Sequence, residues 1–244
     1  MLPQKRMRIF AGPNGSGKTT IFKALLNEEK IGLGVYVNAD DIELMLSKSG
    51  TLSFSEFQIT ISDQVIKEFF CNSQFSSLKR NEPDLWQKLN VVDNIFHANA
   101  KIDSYLAADL AEFIRQQLLI NGISFTYETV MSHDSKIQFM KDALYAGFRV
   151  YLYYIATEDP EINISRVNVR VAQKGHNVSP AIIQNRYFKS LNLLKEAVKN
   201  TNRAYLFDNS GDKAELVAEI TEGDDVRLNN PDNVPNWVAT YLLQ

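Results

Sequence analysis

The stretch Gly12-Pro13-Asn14-Gly15-Ser16-Gly17-Lys18-Thr19 constrains this chain more than any other. It satisfies the P-loop pattern G-x-x-x-x-G-K-[ST], which has meaning only where a strand enters and a helix leaves. Met7-Arg8-Ile9-Phe10-Ala11 before it reads as a short apolar strand, and Thr20 to Leu26 after it reads as a helix. Glycines let successive backbone amides wrap a phosphate, and the helix N-terminus adds partial positive charge. The loop residues Gly12 to Thr19, with Thr20 in the first helical turn, are therefore expected to bind a nucleoside triphosphate, ATP by default. Lys18 is placed to reach the β- and γ-phosphates, and the Thr19 hydroxyl to bind Mg²⁺.

The remainder alternates strand with helix. Gly34–Val37 is the second strand expected, Ile123–Tyr127 the third, Phe148–Ala156 the fourth and Ala204–Phe207 the fifth. Between them, Lys136–Tyr145 reads as a helix stopped by Gly147. Asp159-Pro160 and Ser179-Pro180 each open a further helix, with proline at the tolerated first position; the second is expected to run to about Val198. This order predicts an α/β fold, a doubly wound, mainly parallel five-stranded sheet covered on both faces. Ligands of such sheets bind beyond the carboxyl ends of the strands.

The rhythm fails between residues 50 and 105. Phe54, Phe57, Ile61, Val65 and Phe69 recur at helical spacing, as do Leu85, Leu89, Val92 and Phe96. The reading is one P-loop domain over residues 1–244 with a helical insertion at 50–105.

Composition narrows the class. With 45% hydrophobic residues in 244, the chain can bury a full α/β core. A net charge of −3 gives no expectation of a nucleic-acid surface. The lone cysteine, Cys71, excludes an internal disulfide and is expected to be a small, partly buried apolar side chain. Met1 to Arg8 lacks the apolar run of a signal peptide, and no stretch has the length of a membrane span. A cytoplasmic chain without membrane contact is expected.

A P-loop holds a phosphoryl donor, and a kinase also needs a carboxylate to orient or deprotonate the acceptor hydroxyl. Asp40, after the second strand, is the candidate base; a helix-capping role is the plain alternative. Glu128, directly after an apolar strand, is the candidate metal-shell carboxylate, against a simple strand-end acid. Charge developing on the transferred group calls for arginines. Arg166 and Arg170 lie four apart on one helix and lead into the turn-rich Lys174-Gly175-His176-Asn177-Val178-Ser179-Pro180, with Arg186 beyond, in the manner of a lid. A solvated basic face is the alternative.

This ordered set resembles the zeta-toxin-like P-loop kinases, in particular the stand-alone bacterial branch described as predicted ABC-type ATPases. It comprises the P-loop, Asn38-Ala39-Asp40, Tyr127-Glu128-Thr129, Arg166 to Arg170 with the following loop, and Arg186–Leu191. The likeness covers about residues 6–50 and 106–222. It implies an ATP- and Mg²⁺-dependent kinase acting on a hydroxyl of a small acceptor, with UDP-N-acetylglucosamine as the family's substrate. It further implies that Asp40 is the base, Lys18 holds phosphate, Glu128 lies near metal and acceptor, and Arg166 matches the first lid arginine. An antitoxin-like protein partner follows from the same likeness. The second lid arginine has no counterpart, since Lys174 and His176 stand there, and the insertion is foreign to the pattern. The competing function is a nucleotide-dependent ATPase or switch whose insertion binds a protein. Against a transporter-type ATPase, Leu46–Gly50 only superficially resembles LSGGQ, and no strand ends in an Asp-Glu pair.

Overall fold

Met7 to Ala11 form a continuous run of buried residues rather than an alternating one, the signature of a strand covered on both faces. The computed structural model that shows this describes residues 4–27, 32–72, 81–172 and 178–244. In chain order its elements begin with β1 (Arg6–Ala11), α1 (Lys18–Asn27), β2 (Val35–Val37), α2 (Ala39–Ser49), β3 (Thr51–Ser53) and α3 (Asp63–Asn72). There follow β4 (Leu89–Val92), β5 (Ile95–Ala98), α4 (Ser104–Ile120), β6 (Phe125–Thr129), α5 (Ser135–Tyr145) and β7 (Arg149–Ala156). The chain continues through α6 (Pro160–Ala172), α7 (Pro180–Asn192), α8 (Leu194–Lys199), β8 (Arg203–Asp208), β9 (Glu215–Thr221) and β10 (Asp225–Leu228), and closes with a turn of helix at Asn236–Val238 that runs on as a π-helical turn over Ala239–Leu243.

The chain divides into two units, one of Met1–Leu33 with Thr126–Gln244 and one of Gly34–Phe125. In the first, six strands line up in the order β10-β9-β8-β7-β1-β6. β1 runs parallel to β7, with Ala11 opposite Tyr154, and β7 parallel to β8, with Ala156 opposite Asp208. The carboxyl ends of these three strands therefore share one rim. β9 and β10 were not anticipated; they add antiparallel to β8 and extend the sheet. Phe10, Tyr153 and Tyr205 occupy one cross-strand row, and their rings stack at 4.5 and 5.2 Å. Phe22 meets Phe10 edge-on at 5.1 Å and seats α1 on β1.

Local signals act where the sequence placed them. Gly147, at φ 79°, ends α5: its amide bonds Leu144 O and that of Phe148 bonds Ala143 O, the paired bonds of a Schellman cap. Asp159 Oδ1 accepts from Glu161 N at 2.8 Å and starts α6. The helix expected from Ser179-Pro180 to Val198 instead breaks at Leu193 into α7 and α8. β6 lies two residues later than expected, so Glu128 is within the strand rather than after it.

The second unit corrects the expectation of a helical insertion, and the expected limits of 50 and 105 fall inside it. Its strands β3, β5 and β4 form an antiparallel sheet. Leu85, Leu89, Val92 and Phe96 do not share a helix face. Leu89 and Val91 are buried while Asn90 and Val92 are exposed, a period of two. Asp93 and Asn94 both take positive φ, 51° and 64°, the conformation that a two-residue hairpin loop requires. Among the described residues of the two stripes, Asp63–Asn72 is the α-helix the spacing suggested, while Phe54–Phe57 and Leu85–Lys88 form single 3-10 turns. Phe54 packs edge-on to Phe96 and Phe113 in the core of this unit. Cys71 is exposed rather than partly buried, because the inward face of α3 is carried by Ile66 and Phe70. Among the described residues no helix is long and apolar enough to cross a membrane.

Candidate active site

The carboxyl end of β1 delivers the chain into the loop Gly12–Gly17, and α1 begins at Lys18. Thr20 N and Ile21 N both bond Gly17 O, at 3.0 and 3.1 Å, which starts the helix directly beneath the loop. The Lys18 ammonium donates to Gly12 O at 2.8 Å and to Pro13 O at 2.9 Å, so its charge lies over the loop. The Thr19 hydroxyl donates to Glu128 Oε2 at 2.8 Å. Two residues separated by 109 positions thus meet at the mouth of the loop, one from α1 and one from β6.

Ser16 is fully buried, and its Oγ has no hydrogen-bond partner; Asn14 Oδ1 is in the same position. Buried polar atoms left without partners are costly and are found where a ligand supplies the bond. Backbone amides, an ammonium, a hydroxyl and a carboxylate are the donor set that suits a phosphate chain carrying a hard divalent cation. The residues present fit both ATP and Mg²⁺, with Thr19 and Glu128 as the groups that would hold the cation.

The remaining expected residues divide between the two units. Arg166 lies on α6, and its guanidinium donates to Asn209 O at 2.7 Å and Gly211 O at 3.3 Å, tying the helix to the turn after β8. Arg170 is exposed in the last turn of the same helix. The loop residues Lys174 and His176 lie outside the described residues. Asp40 belongs to the second unit, where it is exposed in the first turn of α2. It does not cap that helix: Asn38 does, its Oδ1 accepting from Asp40 N at 2.8 Å.

Residues that sequence reasoning passed over complete the surroundings of the loop. Asn163, fully buried on α6, donates from Nδ2 to Asn14 O at 2.7 Å and accepts from the Thr157 hydroxyl. Asn209 Nδ2 donates to Ser16 O at 2.8 Å. Asp208, the last residue of β8, accepts from Trp237 Nε1 at 2.8 Å and from both Ser210 N and Ser210 Oγ at 3.0 Å. Tyr187 donates to Thr157 O at 2.6 Å, and burial, aided by nearby Glu158, pushes its phenol well above the ordinary range. Of these, Tyr187 falls within the Arg186–Leu191 stretch that carries the family resemblance, and Asp208-Asn209 stands at the end of a strand.

A glycine loop between β1 and α1, on the rim of a mostly parallel sheet, defines an α/β P-loop fold. The chain belongs to the zeta toxin family, whose family model matches residues 97–219, half of its length. That stretch includes Glu128, Arg166 and Asn209 and excludes the P-loop itself.

Solved structures share the fold at low identity. The PezAT chromosomal toxin–antitoxin system of Streptococcus pneumoniae aligns with a TM-score of 0.56 and 15% identity, over 99% of this chain and 79% of that one. The AvrRxo1-ORF1:AvrRxo1-ORF2 complex with sulphate ions gives a TM-score of 0.54 and 14% identity, over 94% of this chain and 62% of that one. An uncharacterized protein of Haemophilus influenzae is 42% identical over 65 residues, which span 27% of this chain and 46% of that protein.

Proposed function

We propose that the chain is an ATP-dependent phosphotransferase that phosphorylates a hydroxyl of a small acceptor, with a sugar nucleotide such as UDP-N-acetylglucosamine as the first candidate. The observation that carries this reading is the bond from Thr19 to Glu128 beside the Lys18-lined loop. In a kinase the phosphate chain and its cation need this combination of amides, ammonium, hydroxyl and carboxylate in one place. Mg²⁺ at Thr19 and Glu128 supplies charge neutralisation when bound.

Each remaining residue takes one task. Lys18 leaves its two carbonyls for the β/γ-phosphate oxygens. Asp40 accepts the proton of the acceptor hydroxyl as that oxygen bonds the γ-phosphorus and the bridging bond to ADP breaks. This assignment rests on its place after β2 and on the family resemblance. Arg166 or Arg170 on α6 takes the γ-phosphate; Arg166 also donates to two carbonyls of the turn after β8. The toxin–antitoxin and two-protein complexes among the structural neighbours support an antitoxin-like protein as a partner.

Calorimetry with ATP and Mg²⁺ tests the binding half: Lys18→Ala should bind at least tenfold more weakly, and equal affinity would remove the nucleotide assignment. Mass detection of a phosphate adduct across hydroxyl metabolites, sugar nucleotides first, tests the transfer half. Asp40→Asn should keep ATP affinity and lose roughly 10²–10⁴-fold in transfer, the range of a positioned acid or base. Transfer at the wild-type rate in that variant would rule out Asp40 as the base.

A further inference from the structure

The phosphate loop is held from outside its own motif by two side-chain amides. Asn163, from α6, takes Asn14 O at 2.7 Å. Asn209, from the turn after β8, takes Ser16 O at 2.8 Å. In a trans peptide the C=O of one residue and the N–H of the next point in opposite directions. Pulling the Asn14 carbonyl toward Asn163 therefore aims the Gly15 N–H away from α6. Holding the Ser16 carbonyl toward Asn209 likewise aims the Gly17 N–H away from that turn. These alternate amides are the donors from which a phosphate nest is made.

Both asparagines stand close against glycines of the loop, Asn163 through its backbone and Asn209 through its side-chain amide, which a Cβ on Gly17 would displace. A Cβ on Gly15 would come within 2.5 Å of Asn163 O, and one on Gly17 within 2.2 Å of Asn209 Nδ2. The arms are themselves braced. Asn163 Oδ1 accepts from the Thr157 hydroxyl, which fixes its amide with the nitrogen toward the loop. The Asn209 backbone is pinned at both ends, its N–H to Ala156 O at 2.8 Å and its C=O to Arg166 at 2.7 Å. Arg166 stands one turn from Asn163 on α6, so a single helix supports both arms.

We propose that Asn163 and Asn209 are positioning residues that orient the Gly15 and Gly17 amides for the phosphates of the nucleotide, a role that rests on the nucleotide-binding reading above. Neither touches the phosphate; each acts through a carbonyl of the loop. Without an arm, its peptide plane is free to rotate, and the nest must be ordered by the ligand at the expense of affinity.

Tripolyphosphate with Mg²⁺ is the probe, because it reads the nest without the base or ribose. In the full-length chain, Asn163→Ala and Asn209→Ala should each lower tripolyphosphate affinity about tenfold, the equivalent of one lost hydrogen bond in a preorganised site. The amide resonances distinguish positioning from general support. Asn163→Ala should shift chiefly the Gly15 N–H and Asn209→Ala chiefly the Gly17 N–H, with far-UV circular dichroism unchanged. Should the buried Asn163 variant fail to fold, Asn209→Ala, on a half-exposed turn, decides the matter alone. Folded variants that bind tripolyphosphate as tightly as the wild type would overturn the proposal and leave the nucleotide reading intact. A wild-type chain that binds neither tripolyphosphate nor ATP would overturn both.

Discussion

At the scale of single residues, the loop depends on where a side chain is forbidden. A Cβ at Gly12 would lie 1.9 Å from Ile155 O, a backbone atom of a central strand that has no room to retreat. Gly147 also has positive φ, 79°, but a Cβ there meets nothing within 4 Å. The two positions separate conformational strain from collision. Gly147→Ala should cost about 1 kcal/mol, the ordinary penalty of a left-handed non-glycine residue. Gly12→Ala adds a clash that only displacement of the loop or of β7 relieves, so it should lose several times that amount together with ATP binding. Urea denaturation of the two variants, with calorimetry on whichever remain folded, checks the contrast. Equal losses would mean that the loop accommodates the methyl group.

At the scale of elements, the β4–β5 hairpin shows how a few polar atoms override an apolar spacing. Asn94 holds φ 64° in the turn, accepts from Ile61 N at 2.9 Å, and donates to Ser55 Oγ at 3.0 Å and Ile59 O at 2.9 Å. It thereby ties the hairpin to the segment before α3. Asp63 adds a second tie, accepting from Val91 N at 2.9 Å while Lys67, 2.6 Å away, draws its carboxyl below the ordinary value. Asn94→Ala removes three hydrogen bonds and places alanine at positive φ. A loss of about 3 kcal/mol is expected at roughly 1 kcal/mol per bond. Asn94→Gly keeps the turn conformation while losing the same bonds, so it should be the milder of the two in urea denaturation. Alanine as mild as glycine would show that the turn angle contributes nothing.

For the whole molecule, the sheet of the first unit carries an ionisable row in its core. Burial pushes the Tyr153 phenol up to about 12, with Tyr205 adding to the rise and Arg8 opposing it. A raised folded value means that the native state keeps its proton where the unfolded chain has lost it. The stabilisation is complete below pH 10, the ordinary tyrosine value, and is lost as pH rises from there through about 12. Tyr153→Phe keeps the stack on Phe10 and removes the titration, so its stability should fall less steeply over that window. Parallel urea denaturation at pH 8, 10 and 11 reads the difference; identical slopes would place the alkaline sensitivity in Tyr154 and Tyr187, which burial also raises.

What the sequence determined by itself was local or strongly patterned. Gly12–Thr19 announced a phosphate loop because its chemistry is written in consecutive residues. Gly147 and Asp159-Pro160 announced helix limits because caps act within one turn. The buried strands were legible because parallel sheets demand unbroken apolar runs. The Asp93-Asn94 turn was there to be read too, but spacing alone does not separate four apolar residues on a helix from a hairpin with alternating faces. The tertiary structure alone decided which distant side chains meet the loop: Glu128 at Thr19, Asn163 at Asn14 and Asn209 at Ser16. No local pattern encodes those meetings, because the first depends on β6 lying beside β1 and the other two on the order of β1, β7 and β8 and on α6. Arg166 is the clearest case. Its place in the chain suggested a phosphate ligand, and only the fold showed that its guanidinium also meets two backbone carbonyls of the turn after β8.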